Sequence, residues 1–364
     1  MSLADLDGEY LASLKQAMTN LLSTPLAEFA YAQIIDGMPT RDSYFGPRHC
    51  HKGAPVLNHL ELCPGIMEKT RAFRSQFDVL SLNFEPKTIQ AYQDTTLGSA
   101  AFKLRLLELI VIACHNIAVY LYQLDEGAHK HAEWEKWHTE MRDALAKEDS
   151  EESRDLRAEY GPPTPFFRSY RAYKKYPNGL EDVAGYWVEY EIFGGVVLFD
   201  RGESEDECNG IYIHIPEIID TLAPPTEKQF TDLVAFLLSP TADTDPSHCP
   251  LPIRIGFQNK WRWHHYEGMV DYNIFKFRHE VPNYPRRRRR ECVVCIKDWP
   301  ELDEYQTIWS HRGVCDEDLI AACEERLKRI ATPTSACYHW DDEEQSRLQP
   351  DPKKQGRPPY FFDP

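Results

Sequence analysis

The sequence predicts an α+β fold, with a helical N-terminal half packed against a mostly antiparallel or mixed sheet in the C-terminal half. Three observations predict it. Apolar residues recur at helical spacing through the first 160 residues. After Gly161-Pro162-Pro163 the pattern changes to short β-branched and aromatic runs broken by turn residues. Strand and helix do not alternate strictly, and there is neither a glycine-rich dinucleotide fingerprint nor a Walker-type phosphate loop. The reading divides the chain into a mainly helical region at 1–160, a sheet-containing region at 161–331 and a tail at 332–364 rich in proline and charge. The first two regions can also form one composite domain.

Taken in order, residues 3–22 place Leu11, Leu14, Met18, Leu21 and Leu22 on one helical face. Thr24-Pro25 breaks that helix and starts a second at 26–35. Residues 56–73 read as helical with an interruption at Pro64-Gly65. Ser99 caps a long helix from 100 to 124, closed by Gly127. That helix is apolar nearly all round, yet it carries Arg105, Glu108, His115 and Asn116. The polar residues and the absence of a basic flank favour a buried helix over a membrane span. If His115 faces a cleft, it is the best-placed general base of the first half. A charged surface helix follows at 129–147, and then an acidic run at 148–159. Strands are expected at 186–190, 192–199, 210–215, 253–257, 270–277 and 291–296. Thr226 and Gln229 form a capping box at the start of a helix ending near 238. A last helix is expected at 316–330.

The totals bound the function. The chain has 364 residues, 42% of them apolar, enough for a core. A net charge of -17 disfavours a generally basic nucleic-acid surface but not a local basic patch. The ten cysteines form no dense framework, and the acidic first residues carry no secretory signal, so a cytoplasmic setting is expected.

Chemistry concentrates at 200–207. A strand apolar on both faces delivers Asp200, Arg201, Glu203 and Ser204 into a loop with three further acids. Carboxylates beside a fixed arginine can orient an amine, act as a base or grip a guanidinium. Ser204 can be a nucleophile if His214, across the hairpin, is its base. The alternative is a solvated hairpin loop. Glu191, Trp261, Trp263, His264 and His265 are candidate substrate contacts, since aromatics interleaved with His can stack a base or ring. Arg286, Arg287, Arg288, Arg289 and Arg290 form a local phosphate-binding run or a targeting signal. Cys292 and Cys295, with His311 and Cys315, have a zinc-like spacing, but a strand puts the first two thiols on opposite faces. His49, Cys50, His51, His59 and Cys63 make a looser group. No metal and no cofactor is expected.

The run from Phe193 to Ser204, continuing through Cys208-Asn209 to Tyr212-Ile213-His214-Ile215-Pro216, resembles a stretch shared by fungal proteins that include or border on the arginine-containing cyclodipeptide synthases. The resemblance implies an enzyme that takes arginine from arginyl-tRNA and joins it to a second amino acid as a diketopiperazine. It carries no catalytic motif to transfer. On that implication Glu203 or Asp200 binds or deprotonates the amine, Arg201 steadies the oxyanion or the tRNA 3' end, and Ser204 holds an aminoacyl intermediate. The ester is already activated, which agrees with the missing phosphate loop. A non-catalytic RNA- or protein-binding role and a metal-dependent enzyme are the competing expectations.

Overall fold

The computed structural model describes residues 2–44, 53–147, 161–215, 221–240, 248–256, 259, 263–281, 308 and 317–327. Helix α1 (Gly8–Leu22) buries Leu14, Ala17, Met18 and Leu21, the face its spacing predicts. Thr24 caps α2 (Pro25–Asp36) by accepting the Ala27 N–H, with Pro25 at the first helical position. A short 3-10 turn (Pro55–Asn58) and α3 (Ile66–Gln76) replace the single interrupted helix expected at 56–73. Helix α4 (Pro86–Gln93) precedes the long α5 (Ala100–Leu124), where Ser99 accepts the Phe102 N–H as predicted. Helix α5 closes at Asp125, in the left-handed conformation, rather than at Gly127. It is long and apolar enough to cross a membrane, but 83% of its apolar window is buried inside the protein. Helix α6 (His131–Lys147) follows.

The first strand expected in the second half is a helix. Helix α7 (Leu180–Phe193) occupies the region read as a strand at 186–190, and Gly194 ends it as a left-handed cap. Its aromatic and β-branched residues suit a strand by propensity. Burial on nearly every side overrides that preference, because α7 packs against α5, α2 and the sheet. Strand β1 (Val196–Asp200) follows and is buried throughout, as expected. It joins β2 (Ile211–Ile215), β3 (Thr221–Ala223), β4 (Trp263–His264) and β5 (Ile274–Phe275) in an antiparallel sheet of order β4-β3-β2-β1-β5. The strand expected at 270–277 divides into helix α9 (His265–Asp271) and β5, because Asn273 turns the chain through a left-handed conformation. Residues 253–256 form no strand, and 291–296 lie outside the described residues. Helix α8 (Glu227–Leu238) has the predicted reciprocal cap between Thr226 and Gln229. Helix α10 (Glu317–Leu327) is the last described element.

The fold is α+β. Alternation along the strands divides the core between the two faces of the sheet. Val197, Phe199, Ile211 and Ile213 join the cluster built by α1, α2, α5 and α7. Val196, Leu198, Tyr212 and Leu222 meet Tyr170, Tyr176 and Tyr186 on the other side. Helical and sheet regions therefore share one main core.

A buried amide ties the first helix to the second half. Asn20 Nδ2 donates to the carbonyls of Phe236, Leu237 and Ser239 at 3.1, 2.9 and 2.8 Å, satisfying the open end of α8. Asn20→Ala should therefore cost about 1–3 kcal/mol, the penalty of stranded buried carbonyls. Urea unfolding is the check, with a lower midpoint expected at an unchanged m-value.

Candidate active site

The polar residues of α5 share a stripe. Arg105, Glu108, Ile112 and His115 recur every three or four residues and line one cavity of about 870 Å³. That volume is in the range of small-ligand sites. Asp182 lines it from α7, Lys276, Phe277 and His279 from the segment after β5, and Ser204, Glu205 and Asp206 from the loop after β1.

The wall is a chain of buried charges with alternating sign. Asp182 and Glu189 are two helical turns apart on α7, and the His115 ring lies between them. His115 Nδ1 is 2.7 Å from Glu189 Oε1, and Nε2 is 3.1 Å from Asp182 Oδ1. Carboxylates only accept, so both ring nitrogens carry hydrogen and the ring is an imidazolium. Gly185 makes room for it, since a Cβ there would stand 2.6 Å from the ring. Lys276, wholly buried, donates to Glu189 Oε1 and lies 3.9 Å from Glu280 Oε1. Tyr186 donates to that same oxygen at 2.8 Å. Glu280 Oε2 accepts the Lys276 and Phe277 backbone N–H groups, and Asp182 accepts two hydrogen bonds from Asn178.

Two histidines in this cavity are pushed in opposite directions. Burial and Lys276 both work against a charged His115, but the hydrogen bonds it donates to Asp182 and Glu189 outweigh them and hold its pKa above the ordinary 6.5. At His279 burial dominates and lowers the pKa, so that imidazole is neutral at pH 7. Tyr186 Oη is 3.3 Å from its Nε2. Burial opposes ionisation of Glu189, yet Lys276 and His115 hold its pKa below 4.5; Asp182 is likewise held below 3.8 by His115 and Asn178 against burial.

A second ionic group lines the same cavity. Glu108 accepts Arg105 Nη1 at 2.7 Å through one oxygen and Arg201 Nη1 through the other. Arg201 also donates to the Phe275 and Lys276 carbonyls at 3.0 and 2.8 Å. Its guanidinium therefore clasps α5, the 200–207 loop and β5 together, which corrects the expectation of an arginine free to meet substrate.

The remaining predicted residues scatter. Asp200 is buried and accepts the Gly202 N–H at 2.9 Å, so it holds the turn. Glu203 is exposed and lies outside the cavity lining. Ser204 lines the cavity and donates to Glu207 Oε1 at 3.1 Å. His214 is not its base: it pairs with Val196, roughly 13 Å along β1 from Asp200 at about 3.3 Å per residue. There His214 meets the Tyr170 hydroxyl at 3.0 Å, and its ring stacks on His265. Glu191 accepts Arg168 Nη2 at 2.8 Å, away from the cavity. Trp263 and His264 form β4, at the sheet edge opposite β5. Trp261 and the arginines at 286–290 lie outside the described residues, as do His49, Cys50, His51, Cys292, Cys295, His311 and Cys315. Sequence reasoning missed Asp182, Glu189, Lys276 and His279. A signal was present for Glu189, which stands between Val188 and Tyr190 in an apolar, aromatic run. Comparison with protein-family models, curated proteins and solved structures gives no match.

The pH dependence of stability has a definite sign. The His115 contribution is complete below pH 6.5 and is lost as pH rises through its raised pKa. The Asp182 and Glu189 contributions are complete above 3.8 and 4.5 and are lost as pH falls through the lowered values. Thermal melts should show a plateau between those limits and an alkaline decline of up to about 1.4 kcal/mol per pH unit. His115→Gln should lower stability on the plateau and flatten the decline; an unchanged alkaline slope would show that another group titrates. Gly185→Ala should act on the same network by displacing the ring, and a melting profile that matches His115→Gln in shape is the expected result.

Proposed function

We propose that this chain is a tRNA-dependent cyclodipeptide synthase that takes arginine from arginyl-tRNA and joins it to a second amino acid, with the α5–α7 cavity as its reaction centre. One observation carries the site assignment: a charged and a neutral histidine, His115 and His279, line the same cavity. Groups whose environments split their protonation states are suited to acid and base roles. The likeness at 193–216 supplies the reaction class.

The chemistry needs two aminolyses. The amine of one aminoacyl ester attacks the carbonyl of the other, an amide forms and a ribose hydroxyl leaves. The remaining amine then closes the ring and releases the second tRNA. In each step a proton leaves the attacking nitrogen and one reaches the departing oxygen. Neutral His279, on the cavity lining, takes the first. Glu205 and Asp206 are the guanidinium site. They pair on the exposed rim with Arg278 and Lys87 at 3.4 and 2.8 Å. Exposed pairs of this kind contribute at most about 1 kcal/mol, so an incoming arginine can displace the partner cation. A purely binding role is less well served, because Arg201, Ser204, Glu205 and Asp206 line the cavity rather than an open surface.

Expression of the full chain in a heterologous host, with mass spectrometry of the metabolites, is the test. A new arginine-containing cyclic dipeptide is expected, and its absence with soluble protein removes the synthase reading. With purified protein and arginyl-tRNA, His279→Gln should reduce turnover by about 10²–10⁴. A Glu205→Gln/Asp206→Asn double variant should raise the KM for arginyl-tRNA by about tenfold or more, since each charge-assisted hydrogen bond contributes about 1.5–3 kcal/mol. Full activity in either variant would strip those residues of the stated role.

A further inference from the structure

A separate cluster lies at the far end of α2. Asp36, His59, Cys63 and His129 each offer one donor atom, and these atoms all lie within 4.8 Å of one another. None of the four lines the cavity. We propose that they bind a zinc ion, or a divalent transition metal of the same preference, as a closed four-ligand structural site.

Two of the distances between donor atoms fit the metal. With zinc–nitrogen and zinc–oxygen bonds of about 2.0–2.2 Å and a zinc–sulfur bond of about 2.3 Å, tetrahedral ligand atoms stand about 3.3–3.6 Å apart. Asp36 Oδ2 and His59 Nε2 are 3.2 Å apart, and Cys63 Sγ and His129 Nε2 are 3.5 Å apart. The mixed nitrogen, sulfur and oxygen set suits zinc rather than magnesium or calcium, which take oxygen ligands.

The second observation is a pair of unsatisfied atoms. His59 Nδ1 is 2.9 Å from the Pro39 carbonyl, which can only accept, so the hydrogen of a neutral ring is on Nδ1. That leaves a lone pair on Nε2, aimed at a carboxylate. His59 is 7% exposed and Asp36 0%, yet His59 Nε2 and Asp36 Oδ1 make no hydrogen bond. Two facing acceptors repel, and burying them unpaired is costly. A cation between them reverses both effects. The Pro39 carbonyl and the Cys63 N–H, which donates to Asp36 Oδ2 at 2.9 Å, are the outer contacts that commonly orient such ligands.

The backbone is shaped to bring these segments together. A Cβ on Gly37 would stand 2.0 Å from the His129 carbonyl oxygen, and one on Gly127 would stand 2.3 Å from that of Asp36. Only glycine permits this approach, across which the His129 N–H donates to the Asp36 carbonyl at 2.9 Å. The ion would join the end of α2, the start of α3 and the entrance to α6.

The test uses the purified full chain after chelation, titrated with Co(II) and then with Zn(II). Expected are one equivalent of tightly bound metal, the visible bands of tetrahedral Co(II), a thiolate-to-cobalt charge-transfer band, and a higher melting temperature with zinc. Cys63→Ser should abolish the charge-transfer band, and His129→Ala should weaken binding at least tenfold. A band that survives in Cys63→Ser comes from another thiol and overturns the assignment. So does wild-type protein that takes up no metal. Neither result depends on the proposed activity.

Discussion

Everything at the centre of this protein depends on keeping buried charges paired. Helix α5 brings Glu108 and His115 into an apolar interior, and α7 brings Asp182 and Glu189. No one of these groups is tolerable there alone, because an uncompensated buried ion costs several kcal/mol. Each acid is answered by a cation from another element: Asp182 by His115, Glu189 by His115 and Lys276, and Glu108 by Arg201, beside Arg105 of its own helix. The alternation fixes how α5, α7, the 200–207 loop and the segment after β5 are placed. Apolar packing alone would leave their register free to slide. Apolar residues of similar volume could hold such helices together equally well, so a polar seam lining a cavity has a use beyond cohesion.

Several parts of this were legible in the residues. Ser99, Thr24 and the Thr226–Gln229 pair announce their helix starts because capping is local chemistry, decided within four residues. The burial of α5 was readable from an apolar surface with no polar side. So was the interest of His115 and Glu108, which sit one above the other in that apolar context. Of the 200–207 loop, Arg201, Ser204, Glu205 and Asp206 reach the cavity, whereas Asp200 and Glu203, the acids singled out for the chemistry, do not line it. What was not legible depends on distant partners. Residues 186–193 carry strand-forming side chains, and only packing against α5 on one side and β1 on another makes them helical. His214 and Ser204 looked like hairpin neighbours, but the β1–β2 register sets His214 opposite Val196. Lys276 reads as an ordinary surface lysine until Glu189 and Glu280 are brought around it.

The metal cluster shows the same limit more sharply. His59 and Cys63 are four residues apart, but Asp36 and His129 come from elements separated by most of the helical half. No spacing motif exists to be found. The assembly rests on two glycines that allow a loop to touch the end of α2. Such a site is read from unsatisfied atoms, not from a pattern. It also stands apart from the cavity.

Depth divides the labour within the cavity. The pairs of the inner wall are wholly buried, and breaking one costs about 3–5 kcal/mol, so they hold their geometry whatever enters. The pairs at the rim, Glu205 with Arg278 and Lys87 with Asp206, are exposed and contribute about 0–1 kcal/mol. They can exchange partners at little cost. Arg201 connects the two levels, since its guanidinium grips Glu108 inside while its backbone begins the rim loop. A charged ligand therefore meets adaptable contacts first and fixed ones last. For the proposed reaction, that order lets binding free energy act on orientation while the inner groups stay in place.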